Sequence, residues 1–72
     1  MQLCERLRIL REKNELTQKQ LAERLMIMQQ QYSEYERGKR EIPVHYLVEI
    51  ARIYGTSLDY IVGLNDDINR HW

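Results

Sequence analysis

Residues 17–38 constrain this chain more than any other stretch. Two short helical patterns, Thr17-Gln-Lys-Gln-Leu-Ala-Glu-Arg-Leu25 and Gln29-Gln-Gln-Tyr-Ser-Glu-Tyr-Glu-Arg-Gly38, are joined by only Met26, Ile27 and Met28. Thr17 followed three residues later by Gln20 is a capping box, in which hydroxyl and side-chain amide each satisfy an orphan backbone N–H. Leu21, Ala22 and Leu25 supply a buried stripe, and Ala22 is small enough to let another helix cross closely. The second pattern predicts a helix over 28–37. It turns Tyr32 and Tyr35 inward, leaves Gln29, Gln30, Ser33 and Glu34 on the outer face, and stops at Gly38.

The remaining sequence extends the helical pattern in both directions. Leu3, Leu7 and Leu10 form one stripe of a first helix over 2–13, with Glu5, Arg6, Arg8 and Glu12 on other faces. After a loop over 39–42, Pro43 suits a first helical turn, where its missing N–H would have been unpaired. Leu47, Ile50, Ala51 and Tyr54 continue that fourth helix to Gly55. Ser57 is a candidate N-cap for a short fifth helix carrying Leu58, Ile61 and Val62, closed by Gly63. Apolar residues recur at spacings of three and four and nowhere alternate, so the expectation is an all-α domain of five helices over 1–64. A polar tail over 65–72, expected to be partly disordered, follows it.

Seventy-two residues make one domain, near the lower limit at which a single apolar core outweighs chain entropy, so tight helix packing or dimerisation should help hold it. The one cysteine, Cys4, excludes an internal disulfide and leaves no thiol pair for zinc. That points to a reducing compartment, and cytoplasm is the expectation. No basic leader with a long apolar run opens the chain, and no stretch approaches the roughly 20 apolar residues that span a bilayer, so no membrane partner is expected. Cys4, Ser33, Ser57, His45 and His71 form no nucleophile-and-base motif, phosphate loop or metal-ligand spacing, so neither enzyme activity nor cofactor nor metal is expected. Cys4 reads as half-buried filler beside Leu3 and Leu7, and His45 as exposed.

Eleven basic residues balance eleven acidic ones. Over 17–42, Lys19, Arg24, Arg37, Lys39 and Arg40 face Glu23, Glu34, Glu36 and Glu41, whereas over 55–72 Asp59, Asp66 and Asp67 face Arg70 alone. The asymmetry is slight. Any phosphate binding must therefore come from a few placed cations and helix ends, with modest affinity.

In three segments, Leu10-Arg-Glu-Lys-Asn-Glu-Leu-Thr-Gln-Lys-Gln-Leu-Ala, Tyr35-Glu-Arg-Gly-Lys-Arg-Glu-Ile-Pro and Gly55-Thr-Ser-Leu-Asp-Tyr-Ile-Val-Gly, the chain resembles the helix-turn-helix family of phage Cro and cI-type repressors, the xenobiotic-response-element family. The resemblance covers 3–63. It implies a lambda-repressor-like five-helix fold whose second and third helices form the motif, the third lying in a DNA major groove. Gln29 and Gln30 would then meet base edges, with Ser33 and Glu34 one turn later. A glutamine amide pairs bidentately with adenine N6 and N7, and each good pair discriminates by about 1–3 kcal/mol. Glu34 either accepts from cytosine N4 or stays solvated. Thr17, Gln18 and Lys19 at one helix start, and Arg37, Lys39 and Arg40 beyond the other, would hold phosphates. Arg11 and Glu36 match an ion pair between the first and third helices.

The turn departs from the family pattern. Where similar repressors have glycine, an apolar residue and a hydroxyl cap, this chain has Met26, Ile27 and Met28. Met26 in a left-handed conformation would cost roughly 1–2 kcal/mol, and the lost cap about as much again. Ile27 fits the buried position, and Met26 or Met28, if exposed, would be free to touch a partner or a thymine methyl. Tyr32 and Tyr35 are suited to stacking on bases, but their spacing with Leu21 and Leu25 assigns them to the core.

The resulting expectation is a sequence-specific DNA-binding regulator, a repressor, acting as a homodimer on an inverted repeat. Its dimer surface would be Leu58, Tyr60, Ile61 and Leu64, extended by Trp72. No sensory domain is expected after Gly63, which leaves control to abundance, another protein or competition for the operator. Two rivals share the fold: an antitoxin that autoregulates through DNA while binding a toxin, and a protein-interaction module that has lost DNA binding.

Overall fold

A computed structural model of the chain describes residues 2–64 and folds them into α1 (Leu3–Lys13), α2 (Gln18–Leu25), α3 (Gln29–Glu36), α4 (Val44–Tyr54) and α5 (Leu58–Val62), with no strand among the described residues. The tail expected over 65–72, Trp72 included, lies outside them.

The capping box forms as written. Gln20 N donates to Thr17 Oγ1 at 3.0 Å and Thr17 N to Gln20 Oε1 at 2.8 Å. Ser57 caps α5 by accepting from Tyr60 N at 3.0 Å. Helix α3 starts at Gln29, one residue later than expected, because Met28 is extended (φ −74°, ψ 146°) and stands as the N-cap, without a side-chain hydrogen bond. Pro43 likewise stands before the first turn of α4 as its N-cap, and Arg37 closes α3 from outside it.

All five helices end in the same way. A left-handed residue allows paired backward bonds that satisfy the last carbonyls, as in Met26 N to Glu23 O at 3.1 Å with Ile27 N to Ala22 O at 3.0 Å. Three of these positions are glycine, but α1 uses Glu15 (φ 56°) and α2 uses Met26 (φ 60°). Sequence reasoning anticipated Met26 and missed Glu15. At 91% exposure the Met26 side chain gains nothing from the fold to offset its backbone strain. Met26→Gly is therefore expected to stabilise the domain by about 1 kcal/mol, read as a higher urea midpoint with unchanged slope. A midpoint that falls would show that the methionine side chain supports the folded turn.

The core draws on every helix: Leu7 and Leu10 of α1, Leu21, Ala22 and Leu25 of α2, Tyr32 and Tyr35 of α3, Leu47 and Ile50 of α4, and Ile61 of α5. Helix α3 packs on both α1 and α2, and α5 packs on α1 and α4. The third helix is thus braced from two sides with its polar face outward. Among the described residues no helix is long and apolar enough to cross a membrane.

Candidate nucleic-acid interface

Beneath the outer face of α3 lies a polar clamp. Arg11 Nε donates to Glu36 Oε2 at 2.6 Å and Nη2 to Oε1 at 3.2 Å, a bidentate pair whose side chains are 14% and 3% exposed. Arg11 Nη1 also donates to the Leu16 carbonyl at 2.8 Å, tying the α1–α2 loop into the pair. Gln18 Nε2 completes it by donating to Glu36 Oε1 at 3.1 Å. One carboxylate at the end of α3 therefore joins α1, the loop and the start of α2.

Burial by itself would raise the Glu36 carboxyl, but hydrogen bonding by Arg11 and Gln18 and the nearby Tyr32 hydroxyl outweigh it and hold the group below its ordinary range. The bond to Glu36 raises Arg11 in return, against the opposing effect of burial. The Tyr32 hydroxyl is enclosed beside this carboxylate without a partner at hydrogen-bond geometry. Burial first, and then Glu36, pushes its phenol far above the usual value. Burial also pushes Tyr54 up to about 12.

The three consecutive glutamines have different environments. Gln31 turns inward, its Nε2 donating to Tyr35 Oη at 2.8 Å, a contact that the i,i+4 spacing foreshadows. Gln29 and Gln30 are exposed, and neither amide bonds to another described residue. They project from the first turn of α3, with Met28 beside them at 75% exposure. Ser33 and Glu34 are half-buried one turn on. Glu34 is not left solvated: its Oε1 lies 3.2 Å from Arg40 Nη2.

The expected phosphate ligands divide similarly. Lys19 and Lys39 are exposed, and Thr17 and Lys19 stand at the start of α2, where first-turn N–H groups have no acceptor within the helix. The side-chain amide of Gln18 is instead committed to Glu36. Arg37 folds back on α3, Nε to Ser33 O at 3.4 Å, and Arg40 is drawn to Glu34.

The surface expected to pair two copies needs one correction. Ile61 is fully buried in the core of its own chain, because it is the single inward position of a five-residue helix, and it is unavailable to a partner. Leu58 and Val62 are partly exposed and Leu64 is 78% exposed. Tyr60 is half-covered: the Arg6 guanidinium lies 5.2 Å from its ring centroid and Arg6 Nη1 donates to its carbonyl at 3.1 Å. Among the described residues no cluster of His, Cys, Asp or Glu is arranged to hold a metal.

A capped helix, a left-handed turn and a second helix that presents free glutamines, all clamped into a five-helix bundle, define a helix-turn-helix domain. Residues 7–61 match the helix-turn-helix family, and the chain belongs to it. Its relatives include the uncharacterized HTH-type transcriptional regulator YobD of Bacillus subtilis (strain 168), 47% identical over 64 residues that make up 89% of this chain and 57% of that protein. From the same organism, the HTH-type transcriptional regulator ImmR is 36% identical over 97% of this chain and 54% of its own length. The uncharacterized HTH-type transcriptional regulator YqaE is 38% identical over 81% of this chain and 50% of its own length. The chain spans about half the length of the curated relatives it matches. No solved structure gives a significant match.

Proposed function

We propose that the chain is a cytoplasmic, sequence-specific DNA-binding transcriptional regulator, a repressor that binds an inverted-repeat operator as a homodimer with α3 in the major groove. The observation that carries this reading is the division among the glutamines. The amide of Gln31 is used inside the protein, while those of Gln29 and Gln30 stand outward and unpaired on a helix that a buried ion pair holds in place. Exposed amides on a rigid helix match the donor and acceptor pair of an adenine edge. Similarity to proteins named as transcriptional regulators supports the same assignment.

Near-neutral charge makes the phosphate contribution small and local. Lys19 and Lys39, with the N–H groups that open α2, are its main carriers. A homodimer paired through Leu58, Tyr60 and Leu64 must hold its two α3 helices about 34 Å apart, one helical turn of DNA. Selection of bound sequences from a random duplex library tests the function directly, and recovery of no consensus would overturn it. Lys39→Ala is expected to weaken binding to all duplexes alike and to reduce the salt slope by about one unit. Loss confined to one sequence would instead place Lys39 at a base.

A further inference from the structure

Arg40 and Glu34 meet on the reading face itself, and together with Met28, Gln30 and Gln31 they line one shallow groove. Glu34 lies one helical turn after Gln30, so the two side chains project from the same face. A bare carboxylate in that position would be driven away from a duplex by the phosphates on both sides. Arg40 cancels the charge from the loop that follows α3. The backbone brings it there: Gly38 adopts φ 75°, and Lys39 N donates to the Glu34 carbonyl at 3.0 Å, folding the loop back over the turn that carries Glu34.

The pairing leaves one oxygen unused. Arg40 Nη2 is 3.2 Å from Oε1, and Oε2 has no hydrogen-bond partner among the described residues. At 26% exposure the Glu34 side chain is accessible, and Arg40 at 57% is the more exposed partner. A pair this exposed contributes little to folding. Its effect is to orient an acceptor. On its own major-groove edge cytosine offers the N4 donor and no acceptor, whereas adenine places N7 next to its N6 donor, where a carboxylate is opposed.

Resting on the reading that α3 enters a major groove, we propose that Glu34, held and charge-compensated by Arg40, is a further specificity-determining residue that accepts a hydrogen bond from the N4 amino group of one cytosine in each half-site. Arg40 is then a positioning residue for Glu34 rather than a simple phosphate ligand.

The test is selection from a random duplex library with the full chain, Glu34→Ala, Glu34→Gln and Arg40→Gln, each first shown to melt cooperatively. For the unaltered chain a consensus containing one cytosine per half-site beside the adenines is expected, and replacing that cytosine should weaken binding about tenfold. Glu34→Ala should lose that preference and keep the rest of the consensus, and Glu34→Gln should move it toward adenine. Arg40→Gln should weaken all binding and also blunt the cytosine preference. A phosphate contact alone would not move that second readout. If Glu34→Ala selects the same consensus as the unaltered chain, the cytosine reading is wrong while the DNA-binding assignment stands. Should Arg40→Gln keep full cytosine preference, the positioning role is wrong. If no variant and no parent chain selects any consensus, the underlying function fails and this inference with it.

Discussion

Arg11→Ala is expected to cost about 3 kcal/mol of stability at neutral pH, the low end for breaking a buried ion pair. The loss arises less from the missing attraction than from what remains. Glu36 at 3% exposure would keep its charge without its bidentate partner, and the α1–α2 loop would lose the donor to Leu16 O. In a domain this small such a loss lowers the melting midpoint on the order of 15 °C. The pH dependence follows from the folded-state shift. The Glu36 carboxyl is held below its ordinary range, so its stabilising contribution is fully present above the unfolded carboxylate value. It disappears as pH falls through the lowered folded value. In Arg11→Ala the stranded carboxylate is relieved by protonation, so the gap between variant and parent should narrow in acid. Thermal melts across that range check both statements. A deficit below about 1 kcal/mol at neutral pH would mean that the pair behaves as a solvent-exposed one.

Gln29→Ala and Gln30→Ala are expected to act in the opposite manner, leaving stability unchanged while removing sequence preference. Both side chains are exposed and bond to nothing described, so truncation should move the melting midpoint little. Each should forfeit about 1–3 kcal/mol of discrimination between an operator and a scrambled duplex. The double variant would then bind the two within a small factor of each other. Competition binding at two salt concentrations separates this from a phosphate effect, because the salt slope should not change. Equal weakening on operator and scramble would remove the glutamines from the base-reading role.

Much of the fold was legible because helix period and helix ends are local properties. Thr17 and Gln20 announce the start of α2, Gly38, Gly55 and Gly63 mark three ends, and the leucine stripes of α1 and α2 point to the core. The departure at Met26 could also be anticipated, since a turn of fixed geometry forces the left-handed conformation on whatever residue occupies it. Local reasoning failed where a polar side chain had a partner from another element. Nothing in the local pattern shows that the Gln18 amide reaches Glu36, eighteen residues away. Spacing alone presents Arg40 and Glu34 as separate contacts, and the Gly38 turn brings them together. Ile61 belongs to the core and not to a docking face, and an apolar residue on a short helix does not declare which side the rest of the chain will cover.

The amino-acid order by itself determined five helices, the side-chain caps at Thr17 and Ser57 and the outward placement of residues at the start of α3, since each depends on backbone hydrogen bonds and periodicity within a few residues. Only the tertiary structure decided that the Gln18 amide is tied to Glu36, which cations are already engaged, and which apolar side chains are left at the surface. Those outcomes depend on distances between elements, and the first two govern what remains available to a ligand.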